Sequence, residues 1–322
     1  MKYVIPQAVT LTTSNVPNEI LTLWTAPAVF NTGDIVQEIG NTAIKYKYAG
    51  VDGTNSASTP SSNREVWSSA PTNPHAMFDG VLGTQTSNVD SIECSFNATN
   101  IDTISFFNLD AKEIIITMTD NDTLTEIYNE TFSLVYDDLA DFGDYLFSEQ
   151  ELTDKLTNAV SPGTLDLVID SMSEQDVLNR FTANPPIYYN STINITINNL
   201  GSTAKCGYLV VGRQRDLGIT LWDGATSGIM SFSKKTRNEA WGDVELVKGE
   251  VADTMDLSVI IDNANVDIVK NRLKAIDGIP CVFIGDETNL FNSLLLYGFF
   301  LDFSIPLNPT KSTYTLQIES LT

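Results

Sequence analysis

Catalytic and metal chemistry draw on a short list of side chains, and this sequence of 322 residues supplies few of them. Its one histidine, His75, sits in the stretch PTNPHAMFDGVLGTQT, Pro71 to Thr86. Its three cysteines, Cys94, Cys206 and Cys281, stand far apart with no CxxC spacing. A serine or cysteine nucleophile needs a base beside it, and His75 is the single imidazole on offer. A nitrogen–sulfur metal centre needs several ligands, and His75 has no second histidine with which to share an ion. The GxSxG and HExxH signatures are absent, as is a glycine-rich phosphate loop ending in lysine. Paired carboxylates can cleave glycosides, but with 41 acidic residues a pair arises by chance. This inventory predicts a protein that is not an enzyme.

The histidine stretch reads as a corner of the chain. Asp79-Gly80 suits a turn, because glycine accepts positive φ and aspartate bonds to nearby amides. Contact of His75 with a glycan is the alternative. The run TDNDT, Thr119 to Thr123, reads as a hairpin turn. The cysteines are expected to be buried free thiols, and a disulfide framework is not expected with so few in so long a chain.

The elements that must position these residues are mostly strands. STINITINN (Ser191 to Asn199) and TYTLQIES (Thr313 to Ser320) alternate apolar and polar residues with period two, the mark of a strand with one buried face. In the second, Tyr314, Leu316 and Ile318 share one side, and Thr315, Gln317 and Glu319 share the other. Gly53, Pro60, Gly80, Gly201, Gly224 and Gly278 punctuate the runs as turns.

Three helices are also predicted. Ser148 and Glu151 form a capping box before EQELTDKLTNAV. Ser173 and Asp176 start a weaker one over EQDVLNRFTA, which stops before Pro185-Pro186. In the third, Asn263 or Asn265 caps a run with Val266, Val269, Leu273 and Ile276 on one face, ended by Gly278 and Pro280.

Forty-one acids against 18 lysines and arginines give a formal net charge of −23. Nucleic acid is excluded as a partner, since phosphate binding needs clustered bases. Anionic membranes are disfavoured by the same repulsion. Residues 137–154 hold seven acids and no base; they read as a solvated face, or as a docking surface for a basic partner. The most apolar stretch, SLLLYGFFLDF, is broken by Gly298 and Asp302 and is too short to span a bilayer. No secretion signal is visible, so synthesis in a cytoplasm is expected.

The composition predicts a multi-domain, mainly β chain. Its expected cuts fall at the small polar run 52–63 and at the glycine-punctuated run 213–228. That gives a small aromatic β module with a linker over residues 1–60, a β-sandwich with an acidic helical insertion over 61–213, and a β domain with one flanking helix over 214–322.

The first segment, with VFNTGDIV, then KYKYAG, then Val66-Trp67, resembles small chitin- or cellulose-binding modules. Phe30, Gly33, Asp34 and Val36 match the opening of that pattern, and Trp67 its close. The resemblance implies a carbohydrate site on Trp24, Tyr46, Trp67 and His75; the favoured reading of the aromatics from size alone is that they stack together as the core of so small a unit.

The middle segment resembles the galactose-binding-like, discoidin-type jelly roll. Ala76, Phe78-Asp79-Gly80 and Thr84 carry the likeness, while Gln85-Thr86 stand where that family usually has tryptophan. Related sandwiches often hold a structural calcium here, which implies Asp79 and Thr84 as its ligands; no other cofactor is expected.

From about residue 185 onward the order GIMSFSK, PCVFIGD, LYGFFLDFSI and a closing IESLT resembles tail-tip or baseplate proteins of long-tailed bacteriophages. This implies a structural virion protein that forms a ring with copies of itself and with other tail proteins. Lys234, Lys235 and Arg237 would either pair with carboxylates of the neighbouring subunit or form a solubilising hairpin tip. The alternative function is adhesion to a host surface glycan, made useful by avidity around the ring.

Overall fold

The computed structural model describes residues 1–26, 28–56, 58–134, 180–237, 244–286 and 291–321. The chain opens with β1 (Lys2–Pro6) and β2 (Leu11–Ser14). Six short strands follow: β3 (Thr22–Leu23), β4 (Ala28–Phe30), β5 (Ile35–Gln37), β6 (Ile44–Tyr48), β7 (Thr54–Ser56) and β8 (Trp67–Pro71). Next come β9 (Thr86–Ala98), β10 (Thr103–Asp110), β11 (Glu113–Asp120), β12 (Glu126–Ser133), β13 (Arg180–Ala183) and β14 (Ser191–Asp216). Then come β15 (Ile219–Ser231), β16 (Lys234–Arg237), β17 (Val244–Val247), β18 (Val251–Asp262) and helix α1 (Val266–Ala275). The last strands are β19 (Cys281–Ile284), β20 (Leu295–Ser304) and β21 (Lys311–Ser320). The fold is mainly β, of sandwich class, with one α-helix among the described residues.

Alternation sets the first core. Ile193, Ile195 and Ile197 of β14 point inward with Ile114, Ile116 and Met118 of β11 and with Ile92, Cys94 and Phe96 of β9. Ile104, Phe106 and Leu109 of β10 close it from the opposite layer. One layer runs β2-β9-β14-β11-β12, and the other runs β9-β14-β10-β13. Strands β9 and β14 therefore serve both layers. They turn the corner together at Asp90 (φ 64°) and Gly201 (φ 81°), where the Gly201 amide donates to Asp90 Oδ1 at 2.9 Å. Their register slips between Asn198 and Thr203, the local irregularity that such a bend requires.

Past the corner β14 is buried on both faces. Leu209 and Val211 face the first core, while Tyr208 and Val210 face a junction core with Val4, Phe107, Val282, Ile284, Leu295 and Tyr297. The last residues of β14 pair with β1, and from there the sheet continues β19-β20-β21-β18-β15, antiparallel throughout. Its far face holds a third core, where Val266, Val269 and Leu273 of α1 and then Ile276 pack on Leu257, Val259, Phe283 and Leu316. Asn263 does not cap α1; its side-chain oxygen accepts from Ser312 Oγ at 2.9 Å, tying the start of the helix to β21.

The expected cuts at 60 and 214 do not coincide with this pairing. Strand β1 lies between β14 and β19, and β2 pairs with β9, so neither belongs to the small module. Trp67, beyond the cut at 60, shares the core of that module with Phe30 and Tyr48. Position 214 lies inside β14, where the Cα of Gln214 pairs with that of Val4. The polar run 52–63 holds β7, paired with β4.

The predicted helix over EQDVLNRFTA is corrected at its end. Residues Arg180–Ala183 form a strand, because Phe181 packs between Phe132 (4.7 Å between ring centroids) and Phe106 (6.4 Å). The helix predicted after Ser148 and the whole acidic run 137–154 lie outside the described residues, as does the first part of the helix after Ser173.

Because the junction core belongs to both halves, the two should unfold together. Ile284→Ala is expected to cost about 2–5 kcal/mol and to move one urea transition as a whole. Two separated transitions, only one of them shifted, would show that the halves fold independently.

Candidate functional site

The small module uses its aromatics on itself. Trp67 is 1% exposed and Tyr46 is 2% exposed. The Trp67 ring meets Phe30 at 5.0 Å and Tyr48 at 4.9 Å, both edge to face, the arrangement favoured by aromatic quadrupoles. Trp24 is half-buried against the same cluster. The indole N–H groups of Trp24 and Trp67 are buried without an acceptor among the described residues, each at a cost of about 1–3 kcal/mol. Tyr46 and Trp67 are thus spent on the module's own core, the reading its small size favours, and offer no flat platform to a sugar.

The histidine stretch is a corner between this module and the sandwich. Asn73–Phe78 form a 3-10 turn. Thr72 Oγ1 donates to the Thr42 carbonyl at 2.9 Å and stands 3.1 Å from His75 Nδ1. With the hydroxyl proton so placed, the ring N–H donates to Thr72. Thr86 Oγ1 donates to Asn73 O at 2.7 Å and accepts from the Met77 amide at 2.9 Å, pinning the turn to β9. His75 is half-buried, and burial holds its pKa below the ordinary 6.5.

Asp79 and Thr84, the residues expected at a calcium ion, bond to each other. Thr84 Oγ1 donates to Asp79 Oδ2 at 2.7 Å, and the Val81 amide donates to Asp79 Oδ1 at 2.8 Å. The loop they close reaches into the junction core. Leu82 packs there, and its carbonyl accepts from Asn108 Nδ2 at 2.9 Å. No cluster of three or more His, Cys, Asp or Glu that could hold a metal occurs among the described residues.

A cleft of about 340 Å³ opens beside this loop, between the two halves, lined by Phe107, Arg180, Glu250, Asp253 and Tyr297 among others. Its arginine is directed at its own walls: Arg180 Nη2 lies 2.5 Å from Asp253 Oδ2, and Nη1 donates to the Leu295 carbonyl at 3.0 Å. The three cysteines are buried and free. Burial pushes the Cys94 and Cys281 thiols up to about 12 and raises Cys206 as well.

The exposed chemistry of the molecule lies instead along β15. This strand pairs with β18 on one side, and among the described residues nothing pairs with its other side. Register slips between Leu221 and Thr226, and Gly224 takes φ +90°, a value that side chains rarely adopt. The resulting bulge turns Trp222 outward, 54% exposed, with its ring 5.7 Å from that of Phe291.

Beyond Ser231 the ribbon crosses over through the Phe232 amide, which donates to Glu250 O at 3.0 Å. It continues as the pair β16–β17, with Lys234 opposite Val247 and Arg237 opposite Val244. Ile229, Met230 and Phe232 on one strand, and Leu246, Val247 and Val251 on the other, are all exposed. Lys234 and Lys235 lie among them, exposed and without a hydrogen bond or ion pair among the described residues.

Sequence reasoning placed the bases of this arm and missed Trp222. The available signal was the WDG triplet, since a glycine inside a strand pattern marks a bulge. The structure does not bring the expected sites together. Trp24, Tyr46 and Trp67 share one core, His75 and Asp79–Thr84 make the corner, and Lys234 and Lys235 stand on the arm. Compared with known protein families, with curated proteins and with solved structures, the chain matches none.

Two outcomes follow from these environments. Because the folded His75 pKa is depressed, the unfolded chain binds a proton that the folded one resists. Stability should therefore be full above pH 6.5 and fall as pH drops from there through the lower folded value. Urea midpoints compared between pH 7.5 and pH 5 check this, with a smaller decline expected in His75→Gln. The raised thiols should leave the native protein unlabelled by iodoacetamide at neutral pH, whereas three labels per chain should appear by mass spectrometry in urea.

Proposed function

We propose that this chain is a structural subunit of a bacteriophage tail tip or baseplate, which assembles with copies of itself into a ring beside other tail proteins. The observation that carries the reading is the uncovered edge β15 and the arm that continues it. Edge strands in monomeric proteins are kept short or blunted with charge and proline. This one runs for 13 residues, with Asp223 as its only charged residue and no proline. A two-stranded ribbon is marginal in water, and here Leu246 and Val247 of β17, with Ile229 and Met230 where the arm leaves β15, stand in solvent. A surface of this kind is made to be covered.

Placement in a virion tail rests on the order of motifs after residue 185. Attachment to host glycans through Trp24, Tyr46 and Trp67 is not part of the reading, since those rings fill a core.

Light scattering and negative-stain imaging of the purified chain test the proposal. Closed particles of one copy number are expected at micromolar concentration and above. A monomer at every accessible concentration would overturn it.

A further inference from the structure

We propose that Trp222, set outward by the β15 bulge, anchors the contact through which this edge and its arm dock on a second copy of the chain. The inference rests on the assembly reading above and names the residue on which that contact depends.

Three observations lead to it. The first is geometric. The bulge between Leu221 and Thr226 interrupts pairing with β18, and Gly224 at φ +90° lets the strand throw Trp222 off the sheet. Phe291 covers one side of the indole and leaves it 54% exposed. A large ring held by a neighbouring ring, with most of its area still in water, is the usual form of an interface anchor; tryptophan leads the residue types whose truncation costs most.

The second is the company it keeps. Ile219 precedes Trp222 on the same edge, Ile229 and Met230 follow it, and Leu246 and Val247 extend the apolar surface along the arm. This surface continues an unpaired row of backbone donors and acceptors, which a further strand can satisfy.

The third concerns charge and selects the occupant. At −23, two copies of this chain repel wherever their general surfaces meet. Residues 229–251 are an exception: Lys234, Lys235, Arg237 and Lys248 balance Glu239, Asp243, Glu245 and Glu250. The arm is a stretch along which an equally acidic copy can approach without that repulsion. Lys234 and Lys235, unpaired among the described residues, then meet carboxylates on the acidic neighbour, which fixes orientation.

The test measures assembly by sedimentation over a concentration series for wild type, Trp222→Ala, Gly224→Val and Ile20→Ala. Ile20 is an exposed apolar residue of the small module, away from β15, and serves as the control. Trp222→Ala is expected to weaken assembly by about 30-fold or more, the factor for losing a hot-spot tryptophan. Its urea midpoint should be unchanged, and Ile20→Ala should assemble as wild type does. Gly224→Val keeps the indole but denies the bulge its backbone, and should weaken assembly in the same direction.

If wild type assembles and both Trp222→Ala and Gly224→Val match it, the inference fails while the assembly reading stands. If wild type is monomeric throughout, the assembly reading fails and this inference with it. A monomer whose Trp222 binds an immobilised glycan would give the site to a sugar and overturn the proposal. Should Trp222→Ala not fold, Trp222→Phe decides: folded and weaker assembly supports the anchor, and unchanged assembly overturns it.

Discussion

The whole molecule depends on one strand. Over 26 residues β14 pairs with β9 and β11, turns a corner, pairs with β10, and ends against β1. Its middle is covered on both faces, so two cores draw side chains from the same few residues. Such a segment has no solvent face into which error can be released. The corner at Asp90 and Gly201 and the close passage of β1 over Gly212 are correspondingly fixed. A β-carbon at Gly212 would stand 2.5 Å from the Ile5 carbonyl oxygen. Asp102 holds the same crossing, accepting from the Gln214 amide at 2.7 Å and from Thr103 Oγ1 at 2.9 Å.

From that rigid spine follows the use of polar groups elsewhere. The residues with the most chemical potential are occupied in holding loops. His75 bonds to Thr72, Asp79 to Thr84 and Val81, and Asp120 accepts from Thr123 Oγ1 at 2.6 Å and from the Asp122 amide at 3.0 Å in the TDNDT turn. A buried or half-buried polar group without a partner is costly, and these turns meet that demand locally. Arg180 does the same between the two halves. The thiols, raised by burial, are inert packing groups.

The surface divides in a complementary way. Acidic excess keeps the surface hydrated and mutually repulsive, while the free edge and the arm carry exposed Ile219, Trp222, Ile229, Leu246 and Val247. The two features work together. In the proposed assembly, repulsion would discourage contact in wrong orientations while the neutral, apolar ribbon offers a place where contact is favourable.

Period-two alternation in STINITINN and TYTLQIES fixed the faces of β14 and β21, since side-chain direction in a strand is set by the backbone itself. The apolar face of α1, the turns at Asp79-Gly80 and TDNDT, and the dearth of catalytic groups were legible for similarly local reasons. What alternation does not contain is which layer covers a face. Tyr46, Trp67 and Trp222 all stand in strand-like runs, yet two are core and one is in solvent, because the small module closes over the first two, with Phe30 of β4 against Trp67, and β15 has no neighbour on its outer side among the described residues. Strand pairing crosses the expected cuts for the same reason: residues 2–6 find their partners more than 200 positions away in β14. Phe181 became strand because Phe106 and Phe132 were there to receive it. Local chemistry determined the elements and their faces. Contacts distant in sequence, which only tertiary structure can bring together, decided which of those faces remain uncovered.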